Sequence, residues 1–238
     1  VETASGGCSD SIVEFISIPA GSFVLSHDTK NHSSGDTVTL NAFSLGKTPV
    51  TVAQFQKCVA AGRCDAENFD TVDDDDYCNY NRGNDWNNHP MNCVNLFGAR
   101  EFCEWIGGRL PTEEEWEYAA THDGTTHLNR RYAFGDTLNH CVNAQYYDDG
   151  YCDGKTAAVS ANGYQGTSDV SVHAPAGNSP LGLVDMTGNV DEWTEAGTTK
   201  GGAWNTNGDL FGYQLEVTDC RTDFSRTSEV NNGFRCAK

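Results

Sequence analysis

The sequence predicts one α+β domain, loop-rich and poor in regular secondary structure, and three observations point to it. First, 37% hydrophobic and 11% aromatic residues in a chain of 238 supply a packed core and exclude global disorder. Second, glycine is abundant, at 25 residues, while long helical patterns are few, which argues against a bundle or a doubly wound sheet. Third, no internal repeat, linker or composition break divides residues 1–238, so a single domain is the economical reading.

The elements follow in order. FISIPAGSFVLS, from Phe15 to Ser26, alternates around a Pro-Ala-Gly-Ser turn and predicts a hairpin. DTVTLNAFSLGKTPV continues as strand until Pro49 ends it. Thr51, with Gln54 three residues on, forms a capping box and predicts a short helix whose face carries Val52, Phe55 and Val59. Residues 65–92 are polar and rich in Asn and Asp. Helical spacing resumes through Leu96, Ala99, Phe102, Cys103 and Ile106, with Gly107 and Gly108 as the stop. Thr112 and Glu115 make a second capping box, and the acids of EEEWEYAA suit the positive end of that helix. They therefore read as a helix start rather than an acid/base pair. From Thr121 to Pro180 the chain is loop-like, a length that demands an organiser such as a disulfide or a bound metal. The last stretch, from Thr199 onward, holds two strand ends around a long excursion.

Composition narrows the function classes. Fifteen basic against 34 acidic residues give a net charge of −19, which repels phosphate backbones and anionic surfaces, so no nucleic-acid partner is expected. No apolar run approaches the ~20 residues that span a bilayer, so no membrane insertion is expected either. The acidic run from Asp70 to Asn79 reads as a solvated loop. Ten cysteines, with no CxxC pair, predict a disulfide framework and an oxidising compartment: secreted, extracellular or periplasmic. Cys58 and Cys64, Cys78 and Cys93, and Cys141 and Cys152 are each near enough in sequence to pair locally. The opening Val-Glu-Thr fits a processed chain. The seven histidines show no close metal-ligand spacing, and no motif supports Ser/His/Asp catalysis.

Seven phrases now fall in line: IPAGSF, KTPVTVAQF, GGRLPTEEEWEYAA, RRYAFGD, LGLVDMTGNVDEWT, KGGAW and NNGFRCAK. Together they resemble the sulfatase-modifying-factor family, that of the formylglycine-generating enzyme, from about Ile18 to Lys238. The implied fold is C-type-lectin-like. Active members of that family oxidise a sulfatase cysteine with two copper-binding thiols five residues apart. The matching positions here fall near Thr206 and Phe211, and neither side chain can hold Cu(I). No copper is expected, and the defining activity is expected to be absent.

The resemblance implies further features. It pairs Cys103 with Cys236. The family's other long-range bridge would join Cys220 to the helix position held here by Ala120, which leaves Cys220 and Cys8 as partners by elimination. It also implies one or two structural Ca²⁺ ions. One set would comprise Asn143, the carbonyl of Ala144, Asn162 and the carbonyl of Tyr164; the other Asp185, the carbonyls of Gly188 and Val190, and the Glu192 carboxylate. Asp191 lies outside that scheme and is expected at the surface. Thiol-free relatives include variable ligand-binding proteins, and the equivalent face here would be Trp204, Asn205, Asn207, Asp209, Tyr213, Glu216, Asp223 and Arg226. The expected function is a secreted, calcium-stabilised, non-catalytic module that binds a protein or glycan or assembles with itself. The alternative is an oxidoreductase with metal ligands outside these motifs.

Overall fold

The computed structural model describes residues 12–71, 77–139, 142–147, 166–206, 212–222 and 229–238. Its strands are β1 (Phe15–Ile18), β2 (Gly21–Val24), β3 (Thr37–Leu40), β4 (Phe43–Gly46), β5 (Asp191–Trp193), β6 (Thr198–Lys200), β7 (Arg221–Thr222) and β8 (Asn232–Gly233). Its helices are α1 (Val52–Ala60), α2 (Leu96–Trp105) and α3 (Glu113–Thr121), with short 3-10 turns between them. These short strands and few helices form the loop-rich α+β architecture that the composition predicts.

The expected hairpin about Pro19 and Ala20 is not made. β1 pairs antiparallel with β4, and β2 with β3. The register runs on across the break, since Ile18 faces Phe43 and, three residues further on each side, Gly21 faces Leu40. Residues 15–24 and 37–46 are thus one long ribbon interrupted at its middle, where Pro19 has no N–H to give a ladder. The reversal of direction lies instead at 25–36, where Leu25 N–H reaches Asp36 O and Gly35 N–H reaches Leu25 O. This tip loop folds back onto α3.

Both predicted capping boxes form. Thr51 Oγ1 accepts from Gln54 N–H, and Gln54 Oε1 accepts from Thr51 N–H. Thr112 and Glu115 repeat the pattern, and Arg109 grips the Glu115 carboxylate with two bonds of 2.6 Å. α2 is capped by Asn95, whose side chain accepts from Phe97 and Gly98 N–H. Each such cap stabilises its helix by ~1 kcal/mol.

A first core lies between α1 and α2, where the Phe55 and Phe102 rings stack at 5.8 Å and Phe234 meets Phe102 edge-on at 5.5 Å. All three are fully buried, a contribution of roughly 2–3 kcal/mol each. A second core packs Trp116, Tyr118 and Ala119 of α3 against Ile18, Phe23 and Leu45 of the ribbon. A four-stranded sheet, ordered β7-β6-β5-β8, lies beside them, with β5 and β8 parallel. Ala237 bridges to both Leu45 and Arg109, so the segment after β8 ties the ribbon to the lead-in of α3.

Among the described residues three disulfides close: Cys58–Cys64, Cys78–Cys93 and Cys103–Cys236. They agree with an oxidising compartment. The expected Cys141–Cys152 pair and Cys8 lie outside the described residues. Cys220 carries a free thiol, so the bond expected for it is not present; its sulfur points at Glu113 instead. Among the described residues no helix is long and apolar enough to cross a membrane.

Candidate functional site

The turn before β5 is built from left-handed backbone. Asp185, Gly188 and Asn189 all have positive φ, at 54°, 77° and 67°. A Cβ on Gly188 would lie 2.4 Å from Gln145 O, so only glycine fits there. Asn189 is fully buried and spends its amide on structure. Its Nδ2 donates to Asp185 Oδ2 and Ser168 O, and its Oδ1 accepts from Ser168 N–H.

Three residues on, Glu192 meets Arg235 through two bonds of 2.6 Å and accepts a third at 2.8 Å from Trp116 Nε1. The Arg235 guanidinium also donates to the carbonyls of Gly46, Val184 and Asp185, so its planar fork is satisfied inside the protein. The Glu192 carboxylate, expected on an ion, is thus also the buried partner of an arginine. Gly188 O likewise accepts from Val190 N–H. Asp185 is different. It is wholly buried, and burial pushes its carboxyl up to about 6, only partly offset by Asn189 and Arg235. Arg235 bonds the Glu192 carboxylate directly but reaches only the backbone carbonyl of Asp185, so a cation is chemically suited to Asp185 and less so to Glu192.

Of the first expected set, Asn143 Oδ1 accepts from Asn139 N–H and Nδ2 donates to Ala176 O; Ala144 is buried beside it. Asn162 and Tyr164 lie outside the described residues. Asp191, expected at the surface, is buried instead. It pairs with Arg221 at 3.0 Å and Asn231 at 2.8 Å, and burial still pushes it up to about 6.

The expected binding face falls only partly within the described residues. Trp204 is buried, its ring 4.8 Å from that of Tyr77, so it packs rather than projects. Asn205 is exposed. Glu216 is half-buried and bound to Arg131 at 2.7 Å. Asn207, Asp209, Asp223 and Arg226 lie outside the described residues, as does the side chain of Tyr213. Thr206, at one expected thiol position, is buried and accepts from Ala203 N–H and Arg221; Phe211 is not described.

A second polar cluster on the first turns of α3 was missed, because the three glutamates read as an ordinary helix start. All of Glu113, Glu114 and Glu117 are buried, each engaged by the ribbon tip. Ser26 bonds Glu117 through N–H and Oγ, Thr29 Oγ1 donates to Glu114 at 2.6 Å, and Lys30 N–H reaches Glu113. His27 Nδ1 lies 2.7 Å from Glu117 Oε2, and Lys200 Nζ, itself fully buried, lies 3.6 Å from the same oxygen. Cys220 Sγ donates to Glu113 Oε1 at 2.8 Å, beside a bond from Thr198 Oγ1. A cleft of about 320 Å³ opens over Glu117 between Ser26, Thr121, His127 and Arg130. The i, i+4 spacing of Glu113 and Glu117, which puts both on one helix face, is the signal that pointed here.

With this geometry in hand, comparisons place the chain. The family model for the sulfatase-modifying factor enzyme 1-like domain matches residues 2–238. The formylglycine-generating enzyme of Mycobacterium tuberculosis is 30% identical over 237 residues, covering 77% of this chain and 74% of that one. The inactive C-alpha-formylglycine-generating enzyme 2 of Bos taurus is 30% identical over 158 residues, covering 62% of this chain and 50% of that protein. The chain spans half or less of the length of several curated relatives that it matches. Among solved structures, Treponema denticola variable protein 1 superposes with a TM-score of 0.64 at 20% identity, covering 94% of each chain. At that identity the likeness concerns the fold alone.

Proposed function

The chain belongs to the sulfatase-modifying factor enzyme 1-like domain family, and from that premise we propose that it is a secreted, non-catalytic member, a binding or assembly module stiffened by calcium. The observation that carries this reading is the side chain at Thr206. Where the resemblance places a copper-binding thiol stands a hydroxyl already engaged by Ala203 and Arg221. A hydroxyl does not replace a thiolate on Cu(I). A relative in Bos taurus that is itself named an inactive C-alpha-formylglycine-generating enzyme supports the non-catalytic part of this reading.

Calcium enters this reading at Asp185, whose buried carboxylate is held by the neutral amide of Asn189 and makes no direct ion pair among the described residues. The ion would supply charge and fix the Asp185–Val190 turn; the chain's own part is to present oxygen atoms on a backbone already bent for it. Secretion is supported by the three closed disulfides. A protein or glycan ligand, or a second copy of the chain, would meet the face around Asn205.

Two measurements test the proposal. Incubation with a cysteine-bearing sulfatase peptide, Cu(I) and oxygen is expected to give no formylglycine by mass spectrometry. Turnover with stoichiometric copper would establish the oxidoreductase reading instead. Calcium at one hundred times its Kd is expected to stabilise the protein by about 2.7 kcal/mol, and Asp185→Asn to remove most of that gain. An unchanged melting curve in calcium and in chelator would remove calcium from the proposal.

A further inference from the structure

The cluster on α3 contains more than charge. One ligand atom each from His27, Glu113 and Cys220 lies within 4.8 Å of the others. The three come from the ribbon tip, the start of α3 and the residue before β7, so the fold, not local sequence, brings them together. From this geometry we infer that His27 Nε2, Glu113 and Cys220 Sγ form a binding site for a borderline divalent transition-metal ion, with Zn²⁺ as its natural probe.

Four features on the page support the assignment. The donor set is one nitrogen, one sulfur and one carboxylate oxygen, which suits Zn²⁺ and is wrong for Ca²⁺ or Mg²⁺. His27 has a carboxylate beside its other ring nitrogen: Nδ1 lies 2.7 Å from Glu117 Oε2, so Nε2, now contacted by Lys200 Nζ, is the nitrogen for the metal. A carboxylate behind a histidine is the usual support of a metal-bound imidazole. Glu113 is held in place by Thr198 Oγ1 at 2.8 Å and by Lys30 N–H. Access is open, since His27 is 13% exposed and Cys220 is half-buried.

The charges also balance. Without metal, the Cys220 S–H donates a hydrogen bond to Glu113 and keeps its proton, and Lys200 Nζ stands 3.3 Å from His27 Nε2 as the local cation. On binding, the sulfur–metal bond forms as the thiol proton leaves to solvent. Thiolate and Glu113 then carry the two negative charges that a divalent ion cancels, while Lys200 withdraws from Nε2 and keeps Glu117 as its partner. Three protein ligands leave a fourth position for water.

The test uses the full, oxidised chain in saturating calcium, so that oxygen-only sites are filled. Titration with Zn²⁺, followed by dialysis and elemental analysis, is expected to leave one zinc per chain. Co²⁺ in its place is expected to show thiolate-to-metal charge-transfer absorption. Cys220→Ser and His27→Gln should each weaken zinc binding by about 100-fold or more, and Glu117→Gln by about 10- to 100-fold through loss of histidine orientation. Absence of stoichiometric zinc, a cobalt spectrum without the thiolate band, or equal affinity in Cys220→Ser would each overturn the site. The cobalt spectrum of the unaltered chain decides the matter even if a variant fails to fold.

Discussion

Glu192 and Arg235, 43 residues apart in sequence, close on one another through two bonds of 2.6 Å, and neither side chain reaches water. Such a pair stabilises little against an apolar substitute, yet losing one member strands the other. Arg235→Met should therefore cost about 3–5 kcal/mol, read as a fall in the urea midpoint. The double variant with Glu192→Gln should recover part of that loss, and a double-mutant cycle measures the coupling. A single-variant cost below about 1 kcal/mol would mean the pair contributes no structural constraint.

Acid should act on the protein partly through His89. Burial first, then the charge of Arg82, holds its imidazole down to about 4, against 6.5 ordinarily. Asp169 stands 3.3 Å from its Nε2, but that carboxylate is 44% exposed and screened by water. Between the two values an unfolded chain binds the proton and the folded one does not, so stability is lost as pH falls from about 6.5 to about 4. Asp185 and Asp191, raised to about 6, act in the opposite sense over the same range. The quantity to measure is thus the difference between the unaltered chain and His89→Asn. It should reach up to ~3 kcal/mol at pH 4, and parallel curves would refute the assignment.

Cys220 should be a poor nucleophile in the metal-free protein. Burial pushes its thiol up to about 12, and the Glu113 carboxylate adds to the effect. At pH 8 that leaves about 1000-fold less thiolate than an ordinary cysteine has. Site-resolved mass spectrometry should find Cys220 almost unlabelled by iodoacetamide in native buffer and fully labelled in urea. Rapid native labelling would contradict so raised a thiol.

The disulfides should differ in weight. Cys103–Cys236 closes a separation of 133 residues, and Cys58–Cys64 only 6. Chain entropy gives about 5 kcal/mol for the first against about 2 for the second. Paired alanine variants, compared by calorimetry, should reproduce that order; equal losses would point to native-state strain instead.

Much of this was legible in the sequence where the cause is local. Thr51 with Gln54, and Thr112 with Glu115, announce their helices because both partners of a capping box lie within one turn. The ribbon was misread for the opposite reason: Ile16 pairs with Leu45, and nothing near Pro19 records a partner so distant. Asp191 was misplaced because its neutralising groups, Arg221 and Asn231, stand 30 and 40 residues further on. The cluster of His27, Glu113 and Cys220 is the extreme case, since no window holds even two of its members. The family resemblance identified the overall fold well, but the partner that Glu192 finds in Arg235, 43 residues further on, is recorded in no local window.

Residues 232–238 supply β8, Arg235, Cys236 and the Ala237 bridges in one short run. A polypeptide made from its amino end has every helix in hand before that run exists. Until it emerges, Glu192 has no counter-charge, Cys103 no partner, and the ribbon edge at Leu45 nothing to rest on. Completion of the native state is thereby deferred until that segment has been translated.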